Sequence, residues 1–273
     1  MLRGRTAPPT LGTSAPIPKF ASFGGTFVCE LRVRGTSNLE KPIMSPSPAS
    51  VMPIDVVSDV VCPWCFIGKR RLERALALVP DIPVEVRWRP YFLNDWVPRG
   101  GIDRKTYLET KFGSVERYAG MARRVQQAAA EEGLVYALDK ISHQPNTLDC
   151  HRLILWARNA GAAGRMKQRL MELYFAEGAD LSDREVLMKA AVDCGLDGDL
   201  VRNLLAGDAD VERVTREVES AKEAGIDGVP CFIFGNVLAV SGAQSPEYLA
   251  DAIRRAAAEY AKRSEQPAAA HAG

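Results

Sequence analysis

The chain has 273 residues, with 35 Lys and Arg against 34 Asp and Glu, and 47 % of its residues are hydrophobic. This composition is ordinary for a globular protein, and a net charge of +1 excludes both an acidic disordered chain and a broadly basic nucleic-acid surface. No run of 18 or more apolar residues occurs, so the sequence predicts no membrane-spanning helix.

The first fifty residues differ from the rest of the chain in composition. They are rich in Pro, Ser, Thr and Gly, and they hold six basic residues but two acids. No apolar stretch of about 7–15 residues marks a secretory signal, and we expect residues 1–50 to be a disordered N-terminal extension. An Arg-rich transit peptide, or an upstream stretch not normally translated before Met44 or Met52, are the alternatives.

The folded part opens with a predicted βαβ unit. Residues 54–58 form a short apolar run that predicts a strand, and residues 84–88 predict a second strand. Between them, apolar residues on one helical face follow Pro63, which suits a first helical position because it lacks an N–H. Gly68 inside this helix costs about 1 kcal/mol relative to Ala, which predicts that another element packs closely against it.

The segment from about residue 101 to 224 has helical composition almost throughout. Gly, Asp and Ser residues separate stretches that are typical of helices. The predicted helices cover residues 107–111, 115–132, 148–160, 164–175, 184–194, 201–205 and 211–224. These stretches indicate a compact helical domain.

Residue patterns typical of β-strands occur again near the end of the chain. Two apolar runs at 231–234 and 237–240 are joined by a Gly-Asn pair and predict a β-hairpin. Ser245 and Pro246 then open a last helix, expected to reach about Lys262 before a frayed tail at 263–273. The economical architecture is an α/β sheet domain, discontinuous over 52–100 and 225–262, with an all-helical domain inserted at 101–224.

Of six cysteines, only Cys62 and Cys65 are close in sequence. They stand where a strand passes into a helix, where unpaired amides and the helix dipole stabilise a thiolate. We expect Cys62 to have a lowered pKa and to be the accessible nucleophile, while Cys65, one turn further in, resolves the mixed disulfide. Two incidental buried thiols or a zinc site are the alternatives. An isolated C-x-x-C of this kind favours redox chemistry in the cytoplasm.

Val229-Pro230 precedes the first strand of the hairpin. A proline there can hold a cis peptide bond, although a trans proline that starts a strand is the simpler alternative. Alongside the cysteine pair, the cis form is favoured. Cys231 follows directly; it is either a third thiol able to trap intermediates or a small apolar strand residue.

The run from Cys62 to Arg71, Cys-Pro-Trp-Cys-Phe-Ile-Gly-Lys-Arg-Arg, resembles the active-site helix of the DsbA-like thioredoxin family, and specifically its FrnE-type branch. Val229-Pro230 matches the cis-proline position of that family, and residues 146–153 and 240–244 also resemble the branch. The resemblance spans about residues 52–262. It implies a thioredoxin-like α/β fold with an inserted helical domain, and dithiol–disulfide oxidoreductase or isomerase activity.

The resemblance also implies the site. Cys62 and Cys65 are the expected catalytic residues, and the expected substrate-binding residues are Pro63, Trp64, Val229, Pro230 and Asn146. Asn146 and His151 would line a groove between the two parts, although a helix cap and a core histidine are their simpler roles. Since Trp64, rather than an imidazole, lies between the thiols, we expect a less extreme thiolate pKa than in strongly oxidising relatives.

The same resemblance sets expectations for partners. They are disulfide-containing proteins or small thiols, with no bound cofactor or metal, glutathione as a reductant or co-substrate, and no nucleic acid or membrane; a homodimer stays open. The related 2-hydroxychromene-2-carboxylate isomerases and kappa-class glutathione transferases carry Ser where this chain has Cys62. A glutathione-dependent isomerase or transferase for a small aromatic substrate is therefore the alternative, and a chaperone-like binder is a third hypothesis.

Overall fold

The computed structural model describes residues 51–265, and the predicted N-terminal extension lies outside this range. Strands and helices alternate at both ends of the described chain, and helices fill its middle. The strands are β1 (Met52–Ser58), β2 (Val84–Pro90), β3 (Ile102–Asp103), β4 (His143–Gln144), β5 (Cys231–Phe234) and β6 (Leu238–Ser241). The helices are α1 (Pro63–Ala77), α2 (Arg104–Phe112), α3 (Val115–Glu131), α4 (Leu148–Asn159), α5 (Ala163–Glu172), α6 (Arg184–Asp193), α7 (Gly198–Ala206), α8 (Val211–Glu223) and α9 (Pro246–Glu265).

Four strands form the main sheet, in the order β2-β1-β5-β6. β1 pairs in parallel with β2 and antiparallel with β5, and β5 pairs antiparallel with β6. Val56 is central: it stands opposite Trp88 on one side and Phe232 on the other. All seven residues of β1 are buried, as expected for a middle strand that is covered on both faces.

The hairpin turn confirms the prediction made from its Gly-Asn pair. Gly235 and Asn236 both have positive φ angles, 58° and 54°, the conformation that favours these residue types. A Cβ on Gly235 would lie 2.8 Å from the ring of Tyr260, so the packing of α9 also requires glycine at this position. Ser245 caps α9 as predicted, since its Oγ accepts a hydrogen bond from the Tyr248 amide at 3.2 Å.

Two local details of the secondary structure differ from the prediction. The predicted all-helical segment contains an antiparallel pair, β3 with β4, of two residues each. Strands this short carry no alternating pattern, so only the pairing of distant segments reveals them. The last helix continues to Glu265, so residues 263–265 are helical and not part of a frayed tail.

One hydrophobic core joins the sheet to the helices between β2 and β5. It includes Ile54 of β1, Ile67 of α1 and Leu170 of α5, each 0 % exposed. Gly68 confirms the close packing predicted at its position, because a Cβ there would lie 2.9 Å from Pro230 Cγ. No helix among residues 51–265 has the length and apolar character needed to cross a membrane.

Candidate active site

The first turn of α1 carries both cysteines. Cys62 is the N-cap residue, with extended backbone, and Pro63 occupies the start of the helix as predicted. The Cys65 amide donates to the Cys62 carbonyl at 3.0 Å. Cys62 was expected to be the accessible thiol, but it is 3 % exposed against 2 % for Cys65. Its Sγ donates at 3.6 Å to the Val229 carbonyl, so the loop before β5 lies against the nucleophile.

The two thiols have opposite pKa shifts. The pKa of Cys62 is lowered, chiefly because the Cys65 thiol hydrogen bonds to it; burial opposes this, and the Cys65 amide supports it. The pKa of Cys65 is raised well above the ordinary value, chiefly by burial and then by its interaction with Cys62. The Cys65 amide belongs to the first helical turn, so the helix start contributes as predicted, but the neighbouring thiol is the larger influence.

The segment before β5 completes this edge of the sheet. The Val229–Pro230 peptide bond is cis, as the sequence predicts. Pro230 is buried and packs against α1 at Gly68, while Val229 is half-buried. Trp64 is 36 % exposed, which leaves a large aromatic surface next to the dithiol.

A buried acid lies next to the dithiol, since the Cys62 amide donates to the Asp59 carbonyl at 3.4 Å. Asp59 is 0 % exposed, and its carboxylate accepts from the Leu93 amide at 2.8 Å and meets His151 Nε2 at 3.3 Å. Burial raises the pKa of Asp59, but the His151 contact and the Leu93 amide outweigh it, so the net shift is downward. His151 also contacts the Tyr91 carbonyl at 3.1 Å and is 4 % exposed, which makes it an interior histidine.

Two lysines from the helical segment reach this edge, and sequence reasoning missed both. Lys167 of α5 is 1 % exposed and donates to the Ser58 carbonyl at 3.2 Å. Burial lowers its pKa, and the charges of Cys65 and Asp59 oppose that shift. The available signal was its place on the buried face of the segment, at helical spacing from Leu170, Met171 and Tyr174.

Lys111 of α2 approaches from the other side. Its Nζ donates to Asn94 Oδ1 at 2.5 Å and lies 5.7 Å from the Tyr107 ring centroid. Burial lowers the pKa of Lys111, whereas the charges of Cys62 and Asp59 raise it. No local pattern marks this lysine, because α2 is brought to the dithiol only by the folding of the whole segment.

The remaining predicted residues are placed as follows. Asn146 Oδ1 accepts from the Leu148 amide at 3.0 Å, and its Nδ2 donates to the Val97 carbonyl at 2.7 Å, so it joins the start of α4 to the loop after β2. Cys231 is 4 % exposed, and burial raises its pKa. Within residues 51–265, no group of three or more His, Cys, Asp and Glu side chains has the arrangement of a metal site.

The four-stranded sheet, the paired thiols at the start of α1 and the cis-proline beside them define a thioredoxin-like fold of thiol oxidoreductases, with helices inserted between β2 and β5. Residues 53–254 match the DSBA-like thioredoxin domain. The chain therefore belongs to this family.

Known proteins agree with the assignment. The structure of the probable DsbA oxidoreductase SCO1869 from Streptomyces coelicolor is 33 % identical, with a TM-score of 0.70 over 76 % of this chain and 91 % of that one. Uncharacterized protein YwbO of Bacillus subtilis (strain 168) is 27 % identical over 73 % of this chain and 94 % of its own length. The cytosolic disulfide reductase DsbM of Pseudomonas aeruginosa, solved with GSH, shares the fold at 18 % identity and a TM-score of 0.51, over 78 % of this chain and 100 % of that one.

Proposed function

We propose that the protein is a dithiol–disulfide oxidoreductase or isomerase of the FrnE-type branch. Its substrates would be disulfide-containing proteins or small thiols in the cytoplasm. The observation that carries the proposal is the position of Cys62 and Cys65 on the first turn of α1, where the pKa of Cys62 is lowered and that of Cys65 is raised. Such a pair supplies one sulfur that loses its proton more readily for attack and one that keeps its proton until the mixed disulfide has formed.

The reaction balances with the two sulfurs alone. The Cys62 thiolate attacks one sulfur of the substrate disulfide, forms a mixed disulfide and releases the first substrate thiolate. Cys65 then loses its proton and attacks Cys62 Sγ, which releases the second substrate thiolate and leaves a Cys62–Cys65 disulfide. Two electrons pass from the protein to the substrate, and the reverse sequence oxidises a substrate dithiol.

The surrounding residues suit a groove for an extended substrate. The Val229 carbonyl, which accepts from Cys62 Sγ, would pair with substrate backbone as an added strand. Pro63, Trp64 and Pro230 would shape the groove, with Trp64 offering exposed aromatic surface. Asn146 would act by holding the loop after β2 to α4. Glutathione would serve as reductant or co-substrate, and a homodimer is compatible with this scheme.

The test compares the parent with Cys62→Ser and Cys65→Ser. Reduction of insulin and reactivation of scrambled ribonuclease are measured for each. We expect Cys62→Ser to abolish both activities, because the pKa of Cys62 is lowered, whereas burial raises the pKa of each of the other four described thiols. Cys65→Ser should instead accumulate mixed disulfides, which non-reducing mass spectrometry detects. Full activity in Cys62→Ser would overturn the proposal.

The other hypotheses predict different outcomes of this experiment. Turnover of a small aromatic substrate that requires glutathione and survives Cys62→Ser would support the glutathione-dependent isomerase or transferase. Binding of unfolded clients that neither substitution changes, without exchange activity, would support the chaperone-like binder. The presence of both thiols favours dithiol–disulfide exchange, since the related glutathione-dependent isomerases and transferases carry Ser at the position of Cys62.

A further inference from the structure

A second open groove lies away from the dithiol. It has a volume of about 760 Å³, within the range of about 300–1,000 Å³ that small-molecule sites occupy. It runs between α1, β2 and α5, and α1 contributes its later turns, from Lys69 to Leu76, rather than the turn that carries the cysteines. Nothing in the exchange reaction described above uses this groove.

The base of the groove is apolar. Leu72 and Leu76 of α1, together with Val86 and Trp88 of β2, provide it. On the opposite side of the groove, near the start of α5, Gly164 lines the groove without a side chain. A Cβ on Gly164 would lie 3.5 Å from the Trp88 indole nitrogen, at ordinary contact distance, so a larger side chain there would cover the indole N–H.

The polar groups that line the groove differ in whether they have a hydrogen-bond partner. Every carboxylate that lines the groove has a donor: Glu73 accepts from Lys69 and Arg70, Glu172 from Gln168, and Asp193 from Arg169. Two lining donors, by contrast, have no partner among residues 51–265. They are the guanidinium of exposed Arg165 and the indole N–H of Trp88, a side chain that is 9 % exposed.

We propose that this groove binds a small organic carboxylate with an apolar body. The apolar base removes the body from water, and the carboxylate supplies the acceptor that Arg165 and the Trp88 indole lack. A neutral apolar molecule would gain no charge-assisted hydrogen bond from Arg165, and a small hydrophilic anion would gain nothing from the base. The carboxylate and the apolar body are both needed.

The probe is 1-naphthoate, measured by calorimetry and by quenching of tryptophan fluorescence, with 1-naphthalenemethanol and acetate as the neutral and the small anionic analogues. We expect one saturable site for 1-naphthoate, and binding of each analogue that is weaker by at least about tenfold. The Cys62→Ser variant should bind 1-naphthoate like the parent, which separates the groove from the dithiol.

Two variants locate the site. Arg165→Glu should weaken 1-naphthoate binding by at least about tenfold, because attraction becomes repulsion. Gly164→Leu should abolish binding by covering the Trp88 indole N–H, while favouring the helix. Arg124→Glu, which changes an exposed arginine of α3, is the matched control and should bind like the parent. Insulin reduction should stay at the parent level in all three variants.

The proposal is overturned if 1-naphthoate shows no saturation up to about 1 mM, or if Arg165→Glu binds as tightly as Arg124→Glu. Equal affinity for 1-naphthoate and 1-naphthalenemethanol would also overturn it, since the carboxylate would then contribute nothing. If a second copy of the chain covers the groove, 1-naphthoate will show no saturation and size-exclusion chromatography will show a dimer. This outcome also overturns the proposal.

Discussion

The surroundings of helix α1 differ between its middle and its start in how fully the buried charged and polar groups are paired. In its middle, Arg71 and Arg74 each donate at 2.7 Å to Glu132, whose side chain is 4 % exposed. Arg71 also donates to the Ala243 carbonyl at 2.7 Å. This cluster connects α1 to the end of α3 and to the loop before α9, and each of its charges has an opposite partner. We call it the Glu132 cluster.

At its start, α1 lies among buried polar groups with fewer partners. Lys167 donates to a carbonyl rather than to a carboxylate. Ser58 Oγ and Asn94 Nδ2 are buried and have no hydrogen-bond partner among residues 51–265. Unsatisfied buried groups cost stability and concentrate where a protein needs them for chemistry. The comparison indicates that the Glu132 cluster serves the fold and the dithiol edge serves the reaction.

The largest expected effect tests the structural side of this comparison. Glu132→Ala should lower the free energy of unfolding by about 3 kcal/mol, because it leaves the partly buried guanidinium of Arg71 without its carboxylate. Urea denaturation measures the change. The rate at which iodoacetamide alkylates Cys62 in the folded protein should not change.

Glu131→Ala is the matched control for that measurement, since Glu131 is the exposed neighbour on α3. It should change the free energy of unfolding by no more than about 0.5 kcal/mol. Equal destabilisation by the two substitutions would show that the Glu132 cluster contributes no more than a surface charge, and the comparison would fail.

Lys167→Met tests the functional side and should show the opposite behaviour. The charge of Lys167 is among the influences that restrain the rise in the pKa of Cys65. Its removal should slow the attack of Cys65 on a mixed disulfide by roughly tenfold. Stability should hold or increase by about 1 kcal/mol, because methionine avoids the cost of burying an ammonium group.

The rate in that experiment is the release of the second thionitrobenzoate after Cys62 has reacted with Ellman's reagent. Lys189→Met, at an exposed position of α6, is the control and should release it at the parent rate. If Lys167→Met lowers stability but does not slow the release of the second thionitrobenzoate, Lys167 serves the fold and not the reaction. The comparison between the two ends of α1 would then fail.

The two neighbourhoods also differ in how far the sequence predicts them. Cys62, Pro63 and Cys65 are local signals, since the proline favours a helix start and the spacing sets the two thiols on its first turn wherever the helix packs. Lys111 carries no such signal. Helical spacing puts Lys167 on a buried face, but what that face meets depends on how α5 closes over the sheet. The burial of Cys62 was missed for the same reason: the Val229 loop that lies against it is 167 residues away.

Cys65→Ala tests the source of the low pKa of Cys62. The hydrogen bond from the Cys65 thiol is the largest influence that lowers this pKa, so its loss should raise it. The pH at which alkylation of Cys62 reaches half its maximal rate should therefore move upward from the parent value. Cys194→Ala, remote from the dithiol, should leave it unchanged. An unchanged midpoint in Cys65→Ala would mean that the helix start alone stabilises the thiolate.

Lys111→Met should have the smallest effect, in the same direction. Its charge lowers the pKa of Cys62 less than the Cys65 thiol and the Cys65 amide do, and the charge of Asp59 opposes it. The alkylation midpoint should therefore rise by less than in Cys65→Ala, and Lys111→Arg should restore part of the difference. Lys105→Met, on the exposed face of α2, should have no effect. A larger shift for Lys111→Met than for Cys65→Ala would mean that the helical segment, and not the pairing of the two thiols, sets the reactivity of Cys62.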